Sequence, residues 1–379
     1  MPESIPSPLL ALREEAETFT RNVLAPFEAE LNAGASLKAI RSHVVAASTD
    51  AGFFTMTQPK AYNGQETGAL ALTVVREALA AANLRVTSHV FAPGAGVLGA
   101  ATGLVKEHYL DPLMRGDKRG SFGFTEPDQA PRPTWATQDG DDIVITGQKS
   151  YVTGGADADF VSALINVEPN GDEKGGTAMV VIDFDAPGVT IERNFKSLEG
   201  GHHAAVRFDE VRVPKWHIVG NIGEGMPRAL SDISTVRLAL SAGACGIMQW
   251  ATEYVSEYIQ APHRSGTPLG QREGVRLRYA DMRIETYAAR SMLYRTARIV
   301  ESDANDVNEV MSTKVYCTEA AGRLIDAAVQ LVGGDALTEG HPLERLYREV
   351  RSMRFTEGAS DVLRLNIAKG ALDLNKGTL

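Results

Sequence analysis

Cysteine is nearly absent from these 379 residues. The only two, Cys245 and Cys317, sit in helical-looking sequence with no second Cys or His at metal-ligand spacing. They read as small core residues of a protein kept in a reducing compartment, and no metal is expected. Positive charge is also short. The formal net charge of −10 opposes non-specific binding to nucleic acid or to anionic membranes. No apolar run approaches the roughly 20 residues of a membrane span. The opening Met1-Pro2-Glu3-Ser4 has no basic segment followed by an apolar one, so no secretory signal is expected and a cytoplasmic location is. There is no internal repeat and no low-complexity tract.

What is present is an ordinary globular composition, 44% hydrophobic and 23% charged, on a chain long enough for two or three domains. From about Pro8 to Leu113 apolar residues recur at helical spacing, with a kink or end at Ala25-Pro26, a second helix over roughly 37–51 stopped by Gly52, and a third over about 67–82. The Gly- and Ala-rich stretch 93–103 suggests close helix packing or a wall of a pocket. The period then changes to short β-branched and aromatic runs. Asp139-Gly140 separates Thr134–Thr137 from Ile143–Ile145, and Asn170-Gly171 separates Phe160–Val167 from Thr177–Phe184, both hairpin signals. Val189–Ile191 and Ala204–Val213 add strands, which predicts an antiparallel β domain. Helical period returns after Gly223-Glu224-Gly225, with four long helices over about 226–259, 272–300, 307–332 and 344–371. The expected fold is α+β: an N-terminal all-α domain (1–119), a middle antiparallel β domain (120–222) and a C-terminal four-helix bundle (223–379).

One stretch of the last helix stands apart. Arg345, Arg348, Arg351 and Arg354 fall at every third place, and the helix then meets Glu357-Gly358. Helix interiors disfavour glycine, so this pair reads as a break between two helices. A carboxylate on such a break can be aimed into a cleft while the flanking helices hold its backbone, as a general base requires.

Six separated words in this α–β–α order resemble the acyl-CoA dehydrogenase family over nearly the whole chain. They are Phe124-Thr125-Glu126-Pro127, Gly147 to Gly155, Phe208 to Pro214 with Gly223-Glu224-Gly225, Tyr279-Ala280-Asp281-Met282 read as a helix start, Ala328 to Gly334, and Leu343 to Ser360. The resemblance implies FAD and an acyl thioester from which a carboxylate takes the α-proton while the β-hydrogen leaves as hydride to flavin N5. The carboxylate before the glycine of the terminal word is Glu357. A minority of the family carries the base directly before an arginine on the first bundle helix, a place held here by Val236 before Arg237, and valine cannot accept a proton.

The same resemblance places Phe122, Phe124 and Thr125 under the flavin ring, Tyr151 against it, and Thr153 near N5. Gln330, Gly333 and Gly334 meet the adenine end from a neighbouring subunit, and Ala359 and Asp361 also fall to the cofactor. Arg237, Gly358 and Pro131 fall to the substrate. The thioester carbonyl is expected to accept from the Glu357 amide and from a ribityl hydroxyl.

Several positions depart from the family pattern. Asp128-Gln129-Ala130-Pro131-Arg132-Pro133 replaces a Gly-Ala-Gly-Ser-Asp turn, and Arg132 is a candidate substitute for its lost phosphate contact. Pro262 stands where an arginine usually reaches the pyrophosphate, and Arg264 lies two places along. The expectation is an acyl-CoA dehydrogenase, dimeric or tetrameric, passing electrons to an electron-transfer flavoprotein, with no nucleic-acid or membrane partner. A carrier-protein thioester dehydrogenase and a flavin monooxygenase of the same fold are the alternatives, the latter needing no carboxylate at 357; a non-catalytic or nucleic-acid-associated relative is the rival from another class, and the net negative charge and the retained carboxylate argue against it.

Overall fold

A computed structural model of the protein describes residues 3–230, 233–302 and 306–377. Along the chain come α1 (Ser7–Phe19), α2 (Ala25–Asn32), α3 (Leu37–Asp50) and α4 (Ala69–Ala81), then the short α5 (Gly103–Val105) and α6 (Asp111–Arg115). Strands β1 (Gly120–Gly123), β2 (Trp135–Asp139), β3 (Asp142–Thr153), β4 (Phe160–Val167), β5 (Gly176–Asp183), β6 (Val189–Lys196) and β7 (His202–Pro214) follow. The chain closes with α7 (Gly225–Ala229), α8 (Ile233–Gln260), α9 (Glu273–Glu301), α10 (Val307–Val332), α11 (Pro342–Met353) and α12 (Ser360–Asp373). These elements form two compact units: the first 92 residues together with the chain from Ser234 onward, and Pro93–Ile233 between them.

In the helical unit the kink expected at Ala25-Pro26 is a π turn over Thr20–Leu24 between α1 and α2. Proline has no N–H to donate, and its ring displaces the carbonyl four residues back, so the ladder shifts by one residue. Ser36 caps α3 by accepting from the Ala39 amide at 3.2 Å. Small residues on α8 (Ala242, Ala244, Cys245, Ala251) meet Ala289, Leu293 and Ala297 of α9 and Cys317, Ala321 and Leu324 of α10 in one apolar core. The two cysteine sulfurs lie 3.8 Å apart inside it, both thiols free. A buried ion network also crosses this core. Glu77 of α4, fully buried, accepts from Arg13 Nη1 of α1 (2.7 Å) and from Arg290 Nε (2.7 Å) and Tyr294 Oη (2.5 Å) of α9. Tyr279-Ala280-Asp281-Met282 lies inside α9 rather than at its start, because helical spacing already begins at Glu273.

The other unit is built on a seven-stranded sheet in the order β1-β4-β2-β3-β7-β6, with β5 on β4. Both hairpin signals hold. Asp139 pairs with Asp142 across Gly140 (φ +60°), and β4 pairs antiparallel with β5 along its whole length. The sheet is mixed rather than purely antiparallel: β1 and β2 each run parallel to β4. The chain reaches β4 from both strands through long connections, and parallel pairing needs crossovers of that kind. Gly94, Gly96 and Gly103 do not serve close packing; a Cβ at any of them would meet nothing within 4 Å. Among the described residues no helix is long and apolar enough to cross a membrane.

Candidate active site

Glu357 lies where the sequence put the break. α11 ends at Met353, α12 begins at Ser360, and the turn between them holds Glu357 at φ +56° and Gly358 at φ +106°. Positive φ on a glutamate is strained, and strain of this kind persists only where the surroundings fix it. Glycine is required at 358, where a Cβ would stand 3.0 Å from Leu363 Cδ2 and 3.5 Å from Arg237 Nη2. Two cations from other helices hold the turn. Arg237 of α8, itself buried, donates from Nε to the Glu357 carbonyl at 3.0 Å. Lys314 of α10, with no exposed surface, donates from Nζ to the carbonyls of Gly358 (2.8 Å) and Arg354 (3.3 Å).

The electrostatics follow from this packing. Burial raises the Glu357 carboxyl above the ordinary carboxylate value, and Arg237 and Lys314 offset part of that rise. Burial lowers the Lys314 ammonium to about 8, and Arg237 pushes it the same way. The result is a half-buried carboxylate with raised basicity beside two cations. A proton acceptor working near neutral pH has this character.

Of the other expected residues in the helical unit, Arg237 and Gly358 are brought to Glu357. Ala359 and Asp361 start α12, and Asp361 is exposed. Gln330 is exposed near the end of α10, and Gly333 (φ +88°) caps that helix by donating to the Val329 carbonyl at 2.8 Å. A Cβ at Gly333 or Gly334 would meet nothing within 4 Å, so both face open space. Arg264 is exposed in a turn between α8 and α9. The arginines of α11 and of the residue that follows it are engaged within the chain: Arg345 with Glu349 (2.9 Å), Arg348 with Glu344 (2.8 Å), Arg351 over the Phe355 ring (4.9 Å) and Arg354 near Glu319 (3.6 Å).

In the sheet unit, Phe122 and Phe124 are exposed and stack on each other with centroids 6.0 Å apart. They lie on and just past β1, an edge strand whose outer main-chain groups have no strand partner. The Thr125 carbonyl accepts from the Ser150 amide at 2.8 Å, tying this segment to β3. β3 bulges twice against β7. At the first bulge Gly147 adopts φ +147°, and a Cβ there would come within 2.6 Å of Thr134 Cα. At the second, Tyr151 takes φ +55° and its ring, 62% exposed, is turned edge-on to Phe195 and His203. Thr153 Oγ1 lies 3.2 Å from His203 Nδ1, while His203 Nε2 lies 3.0 Å from Ser197 Oγ. Exposed aromatic faces beside an unpaired main-chain edge fit a flat ring with a polar rim, so these residues suit a flavin. Pro131 is exposed in the loop before β2. Arg132 is already engaged, paired with Glu168 at 2.7 Å and stacked over Trp135 at 4.3 Å.

Sequence reasoning missed three groups. Lys149, almost fully buried, donates to Glu126 Oε1 (2.6 Å) and to the Phe124 carbonyl (3.3 Å). Glu126 also accepts from the Thr134 amide at 2.8 Å. Burial works against this carboxylate, but the Lys149 and Thr134 hydrogen bonds outweigh it and its pKa is lowered. Within the quoted words, therefore, Glu126 and Lys149 are the internal brace of the Phe122–Thr125 segment. Lys314 and His203 carried no sequence signal at all.

Comparison with known proteins bears on both units. Family models described as the acyl-CoA dehydrogenase N-terminal, middle and C-terminal domains match residues 9–117, 121–211 and 223–372. A 3-(aryl)acrylate reductase of Clostridium sporogenes is 26% identical over 95% of this chain and 97% of its own. A cyclohexane-1-carbonyl-CoA dehydrogenase of Geobacter metallireducens is 27% identical over 93% and 94%. A Mycobacterium abscessus structure assigned to the acyl-CoA dehydrogenases superposes with a TM-score of 0.86 at 25% identity, covering 99% of this chain and 100% of that one. The class that the fold and these matches define is an FAD-dependent oxidoreductase. The chain belongs to the acyl-CoA dehydrogenase family.

Proposed function

We propose that the protein oxidises an acyl-CoA thioester to its trans-2-enoyl form with Glu357 as the base. The observation that carries this reading is the Glu357 turn: a strained, half-buried carboxylate of raised basicity, held by Arg237 and Lys314. The Glu357 carboxylate takes the α-proton. The Glu357 amide would donate to the thioester carbonyl, and bound FAD would add a ribityl hydroxyl, polarisation that makes the α-proton acidic. FAD, when bound, supplies the acceptor for the β-hydrogen, which leaves as hydride. Phe122, Phe124, Thr125, Tyr151 and Thr153 hold the flavin ring, and Gln330, Gly333, Gly334, Arg264, Ala359 and Asp361 serve the rest of the cofactor in a homo-oligomer. Pro131, Arg237 and Gly358 line the thioester. The electrons pass on to an electron-transfer flavoprotein.

Val236, the alternative base position, carries no proton acceptor, which supports the assignment to Glu357. The first-named relative is a reductase, which favours a second reading in which the same atoms run in reverse and an enoyl substrate is reduced. Anaerobic titration of the FAD-loaded protein with a panel of acyl-CoAs separates the two readings. Bleaching of the flavin band supports oxidation and names the acyl class. Re-oxidation of the pre-reduced flavin by enoyl substrates alone supports the reverse. Glu357→Gln is expected to keep FAD and slow bleaching by about 10²–10⁴-fold. A variant that still bleaches at near wild-type rate places the base elsewhere.

A further inference from the structure

Lys314 poses a question that the dehydrogenation scheme leaves open. It is a lysine with no exposed surface, and among the described residues no carboxylate lies within ion-pairing distance of its Nζ. A buried ammonium is expensive unless its donors are met, and a Met of similar length would fill the same volume without that penalty. Its two acceptors are the carbonyls of Arg354 and Gly358, which bracket Glu357. The Arg354 carbonyl is also at the C-terminal end of α11, where main-chain dipoles favour a cation.

We propose that Lys314 is a positioning residue of this site: its ammonium ties together the two ends of the turn that carries Glu357, and its charge holds that carboxylate ionised for proton abstraction. The inference rests on the reading of Glu357 as the base. The charged groups facing the pair are Arg237 from α8 and Glu319 from α10, the latter held by Arg364 (2.8 Å) and Arg354 (3.6 Å). Arg237 takes the Glu357 carbonyl, so the three carbonyls of residues 354, 357 and 358 are shared between two cations from different helices. The ammonium is depressed to about 8, which leaves it charged at neutral pH and lets the tie weaken above that value.

The test uses the full-length, FAD-loaded protein and two variants. Lys314→Arg keeps the charge; Lys314→Gln keeps a hydrogen-bond donor but loses the charge. The readouts are the pH profile of substrate-dependent flavin bleaching and amide hydrogen exchange over residues 354–360. Lys314→Gln should move the acid limb of the profile up by about one pH unit, a tenfold lower rate at a fixed pH below the limb. Lys314→Arg should leave the limb in place. Exchange over 354–360 should quicken in Lys314→Gln and less so in Lys314→Arg. An acid limb unmoved in Lys314→Gln overturns the charge role, and unchanged exchange overturns the tie. If Glu357→Gln still bleaches, the reading of the base has failed instead, and the exchange data alone then decide whether Lys314 holds the turn.

Discussion

Glu77→Gln is expected to destabilise the helical unit by about 3–5 kcal/mol, the range for removing one partner from a buried ion network. The side chain has no exposed surface and receives Arg13 Nη1 at 2.7 Å, Arg290 Nε at 2.7 Å and Tyr294 Oη at 2.5 Å. Glutamine keeps one acceptor oxygen but turns an amide N–H₂ towards the guanidinium donors, removing the carboxylate that the half-buried Arg13 and Arg290 share, while Arg13 keeps its pair with Glu17 at 2.8 Å. A hydrogen bond to a charged group contributes about 1.5–3 kcal/mol, so three taken separately exceed the network range; contacts sharing one carboxylate are not additive. For a folding unit of this size each kcal/mol moves the midpoint by about 2–4 °C, giving a fall of roughly 6–20 °C by scanning calorimetry of the FAD-loaded protein. The pH dependence has a definite sign. Burial raises the Glu77 carboxyl, but Arg290, Tyr294 and Arg13 outweigh it and the net pKa is lowered. Its stabilisation is therefore fully present above the ordinary carboxylate value and lost as pH falls through the folded one, and the variant should lack that dependence. A loss under about 1 kcal/mol would show that the network is no better than an apolar core. Replacing Arg13, Glu77 and Arg290 together by apolar residues should come close to that neutral result.

Two further substitutions probe the site. Gly358→Ala forces a Cβ into φ +106° and to 3.0 Å from Leu363, a strain of about 1–2 kcal/mol. The expected outcome is a roughly tenfold lower kcat with FAD content unchanged, and an unaltered kcat would mean that this turn does not govern the reaction. Lys149→Met removes the brace on Glu126 and on the Phe124 carbonyl, a loss of about 1–3 kcal/mol. The purified variant should carry less flavin per protein by absorbance, whereas full occupancy would argue that the Phe122–Thr125 segment does not hold the ring.

Much of the architecture was legible because it is periodic. The return of helical spacing after Gly223-Glu224-Gly225, the two Gly-containing turns at 140 and 171, and the Glu357-Gly358 break are local signals, and each lies where it was read. Pairing partners are not local. That β1 and β2 run parallel to β4 depends on contacts some 30 to 40 residues apart, which no dipeptide announces. The glycines of 93–103 were ambiguous for a related reason. Small residues accompany close packing and open loops alike, and only the neighbours distinguish them. Arg132 illustrates the limit for side chains: its charge suggested a phosphate contact, and no local signal announced the Glu168 pair and Trp135 ring that it also meets.

The residues least legible were the two lysines, and each holds a segment of its own unit. Hydropathy assigns lysine to the surface, yet Lys149 is 2% exposed and Lys314 has no exposed surface. One lies in each unit, and each donates to main-chain carbonyls of a segment that carries expected site residues: Phe124 for Lys149, Arg354 and Gly358 for Lys314. Each segment also has a residue in strained backbone geometry beside it, Tyr151 at φ +55° and Glu357 at φ +56°. A loop that must present an exposed ring or a reactive carboxylate cannot bury its own apolar groups to fix its shape. A cation driven through the core from the neighbouring helix or strand fixes it from behind, and the desolvation of that cation is offset by the carbonyls it receives. Removing either lysine should loosen the segment it holds before it unfolds the unit around it.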